Sequence, residues 1–101
     1  MIFDVVKIVT DSFAEIRDIL NLQEEETSLI LDVDTDNILI GIQYDDVEIT
    51  GKMRLQIVKK INSLKKYLNC NHILINSRSV IFQGTTVRSS KWEKLNLEGM
   101  I

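Results

Sequence analysis

Proline is absent from the 101 residues, and cysteine and histidine occur once each, as Cys70 and His72. One cysteine cannot close a disulfide within the chain, so the fold must be held by its core, as suits a reducing compartment. The same scarcity disfavours catalytic and metal chemistry. A metal site needs three or four ligands, and a nucleophilic thiol needs a base and an orienting partner, whereas Cys70 and His72 are only two neighbours in a loop. Glycine occurs four times, with no Gly-rich phosphate loop and no nucleophile elbow. No run approaches the roughly 18 apolar residues of a membrane span, and Met1-Ile2-Phe3-Asp4 lacks the basic start of a secretory signal. The expectation is a cytoplasmic, non-enzymatic protein with no cofactor, metal, membrane or small-molecule substrate.

What the chain does contain is globular. Hydrophobic residues make up 45% and charged residues 27%, and the length suffices for one core but not two. A single domain over residues 1–101 is expected, with residues 91–101 as a candidate docking tail. Abundant isoleucine, lysine and asparagine beside the missing proline is the usage of AT-rich bacterial, phage or mobile-element genomes.

Ile2, Val6, Val9, Phe13, Ile16 and Leu20 recur at helical spacing, with Asp4, Lys7, Asp11, Glu15 and Asp18 on the other side, which predicts one long helix. The rival reading makes residues 2–9 a strand and starts the helix at Ser12, but alternation would then place a charge on each face. Thr27–Val33 and Ile38–Tyr44 read as a hairpin around Asp34-Thr35-Asp36-Asn37. Thr50 and Gly51 precede a second helical stripe of Met53, Ile57, Ile61, Leu64 and Leu68, ended by Asn69-Cys70-Asn71. His72–Asn76 and Val80–Gln83 form another hairpin, and Gly84 introduces a possible fifth strand, Thr85–Ser89. The fold class is therefore α+β, ordered α-β-β-α-β-β, a mostly antiparallel sheet with two amphipathic helices on one face. The strand reading of residues 2–9 gives instead a ferredoxin-like β-α-β-β-α-β order.

Charge divides the chain. Residues 1–50 hold 13 acidic residues against Lys7 and Arg17, a net of −11, while residues 51–101 hold ten basic residues against Glu93 and Glu98, a net of +8. Such asymmetry favours electrostatic partners. Helices of opposite charge packed side by side would neutralise each other, which is the plainer explanation. Asp32-x-Asp34-x-Asp36-Asn37 begins like a calcium loop but has Asn37 where glycine is required and Gln43 where a bidentate glutamate is required, so a turn is expected. A weak divalent site would need Asp34 and Asp36 to meet Asp45, Asp46 or Glu48.

Two functions remain. One is an interaction or assembly protein that binds its own copies or another protein, using the bipolar charge and the apolar tail residues Trp92, Leu95, Leu97, Met100 and Ile101. The other is a nucleic-acid-binding module built on a basic helix over residues 52–66. Lys52, Arg54, Lys59, Lys60, Lys65, Lys66, Arg78, Arg88 and Lys91 would contact phosphates, and Trp92 would stack a base. Aromatics at 6% and an acidic first half weigh against the second.

Overall fold

A computed structural model describes residues 2–87. Helix α1 spans Ile2–Ile19 and is followed by a 3-10 turn at Glu24–Glu26; then come β1 (Thr27–Asp34), β2 (Asn37–Tyr44), α2 (Gly51–Asn62), β3 (Leu68–Ile75) and β4 (Ser79–Thr86). The four strands form one antiparallel sheet in the order β1-β2-β4-β3. This is the α-β-β-α-β-β order of an α+β fold, and the helical reading of residues 2–9 holds over the strand reading.

Local chemistry sets the element ends. Asn21 takes the left-handed conformation (φ 59°) after α1. The Asn21 N–H bonds to the Asp18 carbonyl and the Leu22 N–H to the Arg17 carbonyl, the paired closure of a Schellman motif. The Thr50 hydroxyl accepts from the Met53 N–H at 3.1 Å and caps α2.

The core lies between one sheet face and the two helices. Val9, Phe13 and Ile16 of α1, Leu20 in the turn just after it, and Ile57 and Ile61 of α2 meet Ile38, Ile40, Ile42, Val80 and Phe82, all buried. The pairs Ile40↔Phe82 and Ile42↔Val80 show why: directly opposite residues share a face.

Three expectations need correction. The second helix stops at Asn62, and Ser63–Tyr67 form turns in which Leu64, Lys65 and Tyr67 donate to the carbonyls of Ile61, Asn62 and Leu64. These shorter i→i−3 bonds tighten the chain out of the α-helix while Leu64 and Leu68 stay buried, so the apolar spacing outlasts the helix. Strand β3 starts at Leu68 rather than His72, because its first residues pair with Thr86 and Thr85 and a bulge between Cys70 and His72 absorbs the irregularity. Finally, Gly84 interrupts nothing: β4 runs through it to Thr86, so no separate strand begins at Thr85. A Cβ on Gly84 would lie 2.7 Å from the Phe82 ring and 2.8 Å from the Asn69 carbonyl. Glycine is there to admit the ring. Ser89 lies outside the described residues.

Candidate interaction surface

The strand order turns the charge division of the sequence into a spatial one. α1, β1 and β2 come from the acidic half, whereas α2, β4 and β3 come from the basic half, and the halves meet at the β2–β4 seam. One side of the sheet therefore ends on acidic β1 and the other on β3 beside α2.

Along the basic side the candidate residues do not converge. Lys60 pairs with Glu15 of α1 at 2.5 Å. Arg54 points the other way and donates to the Ile75 carbonyl of β3 at 3.3 Å. Lys52 and Lys59 are exposed on the outer face of α2 with Leu55 between them. Lys65 and Lys66 are exposed in the turn after α2, and Arg78, in the β3–β4 turn, meets Asp46 at 3.4 Å. Arg88, Lys91 and Trp92 lie outside the described residues. The proposed basic helix is thus divided among a neutralising contact, a backbone contact and an outer face with only two lysines.

The acidic side carries the feature that composition alone did not reveal. Leu29, Leu31 and Val33 lie opposite Ile42, Ile40 and Ile38, so all three share the sheet face that bears the core. Their partners on β2 are buried, yet they are 54%, 44% and 40% exposed. Helix α1 packs over β2 and leaves the three β1 side chains partly open. Between α1 and β1 runs a groove of about 320 Å³ with Phe13, Ala14, Leu29 and Ile42 in its walls and Arg17 and Glu24 at its rim. On the opposite face Asp32 and Asp34 are exposed. The alternating Leu29, Leu31 and Val33 marked a strand in the sequence, but nothing in the sequence told that this stripe would be left uncovered.

The other candidates resolve as structural. Asp34 and Asp36 sit at one end of β2, and Asp45, Asp46 and Glu48 follow its other end, about 23 Å away along eight strand residues. The conjectured divalent site is not assembled, and no cluster of three metal-ligating side chains occurs among the described residues. Asp36 instead holds the end of β4 through the Thr86 N–H (2.8 Å) and hydroxyl (3.4 Å). The Cys70 thiol donates to the His72 carbonyl at 3.8 Å, not to its imidazole, and partial burial pushes the thiol pKa up, away from a nucleophilic thiolate. Tyr44 is buried, its hydroxyl donates to the Asn76 carbonyl at 2.7 Å, and burial raises its pKa too. No helix among the described residues is long and apolar enough to cross a membrane. No known protein family, curated protein or solved structure matches this chain.

Proposed function

We propose that this chain is a small non-enzymatic interaction or assembly protein, acting in the cytoplasm of a bacterium, phage or mobile element through contacts with its own copies or with another protein. The observation that carries the reading is the exposed stripe of Leu29, Leu31 and Val33 at the acidic edge of a sheet whose other side carries the lysines of α2 and of the turn after it. Apolar side chains in water favour burial against a partner, at about 25 cal/mol per Å² covered, and opposite charge on the two sides supplies steering and orientation. Three exposed apolar side chains on one strand face, continuous with a groove, form a patch of the kind that partners cover. The divided lysines of α2 offer a weaker footing for a polyanion, which binds best to converging cations.

Size-exclusion chromatography with light scattering over a protein and salt series tests the proposal. A defined oligomer, or a protein captured from the host lysate with Leu31 protected in the complex, is expected. A wild-type chain that stays monomeric at about 100 µM and captures no protein would overturn it. Retention of nucleic acid at about 50 mM salt, lost on changing Lys52 and Lys59 to Gln, would replace it with the polyanion role.

A further inference from the structure

The backbone and the charges of β1 together describe what its open edge accepts. In the β1–β2 hairpin Asp34 pairs with Asn37 across two loop residues and the register runs unbroken to Thr27↔Tyr44. The pair that closes such a loop is hydrogen-bonded, so Asp34, Asp32, Ile30 and Ser28 direct their backbone groups to β2. Val33, Leu31, Leu29 and Thr27 direct theirs outward. The Tyr44 N–H bond to the Arg78 carbonyl on the β4 side fits the same alternation. Three of the four residues with outward N–H and C=O groups are thus the ones with exposed apolar side chains. Nothing among the described residues pairs with the outer side of β1, and such an edge is a template for an added strand.

We infer that this edge receives an extended segment of another protein, added as an antiparallel strand, in which apolar residues alternate with lysine or arginine. The inference rests on the interaction reading above and names the chemistry of the partner. Antiparallel pairing continues the sheet and is the stronger kind. Incoming residues directly opposite Val33, Leu31 and Leu29 complete hydrogen-bonded pairs and share the face that bears the helices, where apolar side chains bury the stripe. Beside Leu29 the groove between α1 and β1 leaves room for a bulky one. Residues between them fall on the far face, opposite the exposed Asp32 and Asp34. Those are non-hydrogen-bonded pairs, in which side chains come closest, so a cation there is attracted and an acid repelled.

Charge selects another protein over a second copy. From Asp18 to Gly51 the chain holds ten acidic residues and no lysine or arginine. Glu24, Glu25 and Glu26 lead directly into β1, and Arg17 is the only cation lining the groove. None of the chain's four strands contains a lysine or arginine. A second copy therefore offers no strand with the counter-charge, and its β1 would bring Asp32 and Asp34 against the same acids. An extended basic segment meets opposite charge along the whole edge, which steers it there and rejects acidic competitors.

A synthetic peptide of roughly ten residues alternating valine with lysine, long enough to span an eight-residue strand, is the probe. Fluorescence anisotropy with the full chain is expected to show binding that weakens as salt rises from about 50 to about 500 mM. A peptide of the same composition with its valines in one block, and one with glutamate in place of lysine, should bind at least about tenfold more weakly. N-methylation of the valines should abolish binding, whereas N-methylation of the lysines, whose N–H groups point away from β1, should leave it. Leu31→Lys, with Leu29→Lys as a second edge variant and circular dichroism to check folding, should also lose about tenfold. Asp32→Lys should weaken the lysine peptide and strengthen the glutamate peptide. In the bound wild type, amide exchange should slow at Leu29, Leu31 and Val33 and stay unchanged at Ile30 and Asp32. Equal binding of the lysine and glutamate peptides, binding unaffected by Leu31→Lys, or protection at Ile30 and Asp32 instead would overturn the inference. No binding of the lysine peptide to a wild type that captures a protein, or self-association that Leu31→Lys abolishes, would overturn the partner's chemistry and leave the interaction reading in place. A wild type that binds no peptide, stays monomeric and captures no protein would remove both.

Discussion

β1 and β3 are both eight-residue edge strands of one sheet, and they handle exposure in opposite ways. β3 carries a bulge between Cys70 and His72 and has the Ile75 carbonyl capped by Arg54 of α2, two devices that spoil a template for pairing. Its neighbour α2 lies close enough to supply that cap. β1 has regular register, no neighbouring helix over its stripe, and only the charges of Asp32 and Asp34 on its far face. The contrast follows from where the helices sit: α1 packs over β2, α2 reaches β3 through Arg54, and no third helix exists among the described residues to cover β1. Both edges expose apolar side chains, Ile73 and Leu74 on β3 as well as Leu29, Leu31 and Val33 on β1, but only β1 joins them to an unbroken register, and that is the physical basis for assigning binding to β1.

Stability should separate the centre of the sheet from that edge by the widest margin. Phe82→Ala empties a fully buried site and should cost about 3–5 kcal/mol, with Ile40→Ala at about 2–5 kcal/mol. Leu31→Ala, directly opposite Ile40, should cost less than about 1 kcal/mol in the isolated chain because its side chain already meets water. Urea unfolding of the three variants measures this. Equal losses at Ile40 and Leu31 would mean that β1 is covered and that the contrast between edge and centre is wrong.

Next in size is Gly84→Ala, which keeps the sheet apolar but puts a Cβ 2.7 Å from the Phe82 ring. A loss of about 1–3 kcal/mol is expected from overpacking. The double variant with Phe82→Leu should lose less than the sum of the two single losses, since the smaller side chain frees the space. Additive losses would show that Phe82 is not what requires glycine there.

Much of this arrangement was legible in the sequence, and the missing parts have definite causes. The Val9, Phe13, Ile16, Leu20 stripe specified α1 because local periodicity and burial agree there. Leu64 and Leu68 misled because they keep helical spacing and are buried, yet one lies in a turn and the other begins a strand. Gly84 was read as a break because a glycine's neighbour across a strand face is invisible in sequence. The charge division was countable, but its partition into two sides depends on the order β1-β2-β4-β3, and the Lys60–Glu15 pair joins residues 45 positions apart. The open stripe on β1 was hidden for the same reason: Leu29, Leu31 and Val33 have the pattern of a half-buried strand whether or not a helix reaches them.

A smaller effect distinguishes the two ends of the sheet by pH. The buried Tyr44 hydroxyl donates to the Asn76 carbonyl, and Asn76 Oδ1 accepts from the Arg78 N–H, the Ser79 N–H and the Ser79 hydroxyl, so the β3–β4 turn is tied to β2. Burial raises the Tyr44 pKa above its ordinary 10.0. The folded chain therefore holds this proton to higher pH than the unfolded chain. Its stabilising contribution is complete below about pH 10 and is lost as pH rises through the raised value. Tyr44→Phe should cost about 1 kcal/mol at neutral pH through the lost hydrogen bond, and should flatten the fall in melting temperature above pH 10. An unchanged alkaline slope would place the titration elsewhere.

The smallest expected effect lies in the turn that sets the register of β1 on β2. Thr35 has φ 54°, left-handed backbone that a β-branched residue adopts at a cost of roughly 1–2 kcal/mol. The turn earns that strain by fixing Asp34 opposite Asn37. A slip of one residue would carry Leu29, Leu31 and Val33 to the far face and bring Ile30 and Asp32 towards the helices. Asparagine tolerates this conformation and adds little freedom to the unfolded chain, unlike glycine. Thr35→Asn should accordingly stabilise by about 0.5–1 kcal/mol, a rise of roughly 2–6 °C in Tm, even though the exposed 3.3 Å bond from the Thr35 hydroxyl to Asp34 is lost. Register should be unchanged, so binding through β1 should match wild type. A lower Tm would show that the threonine hydroxyl, rather than its backbone strain, dominates the turn. A higher Tm with weakened association would mean that the strained turn also shapes the edge offered to a partner.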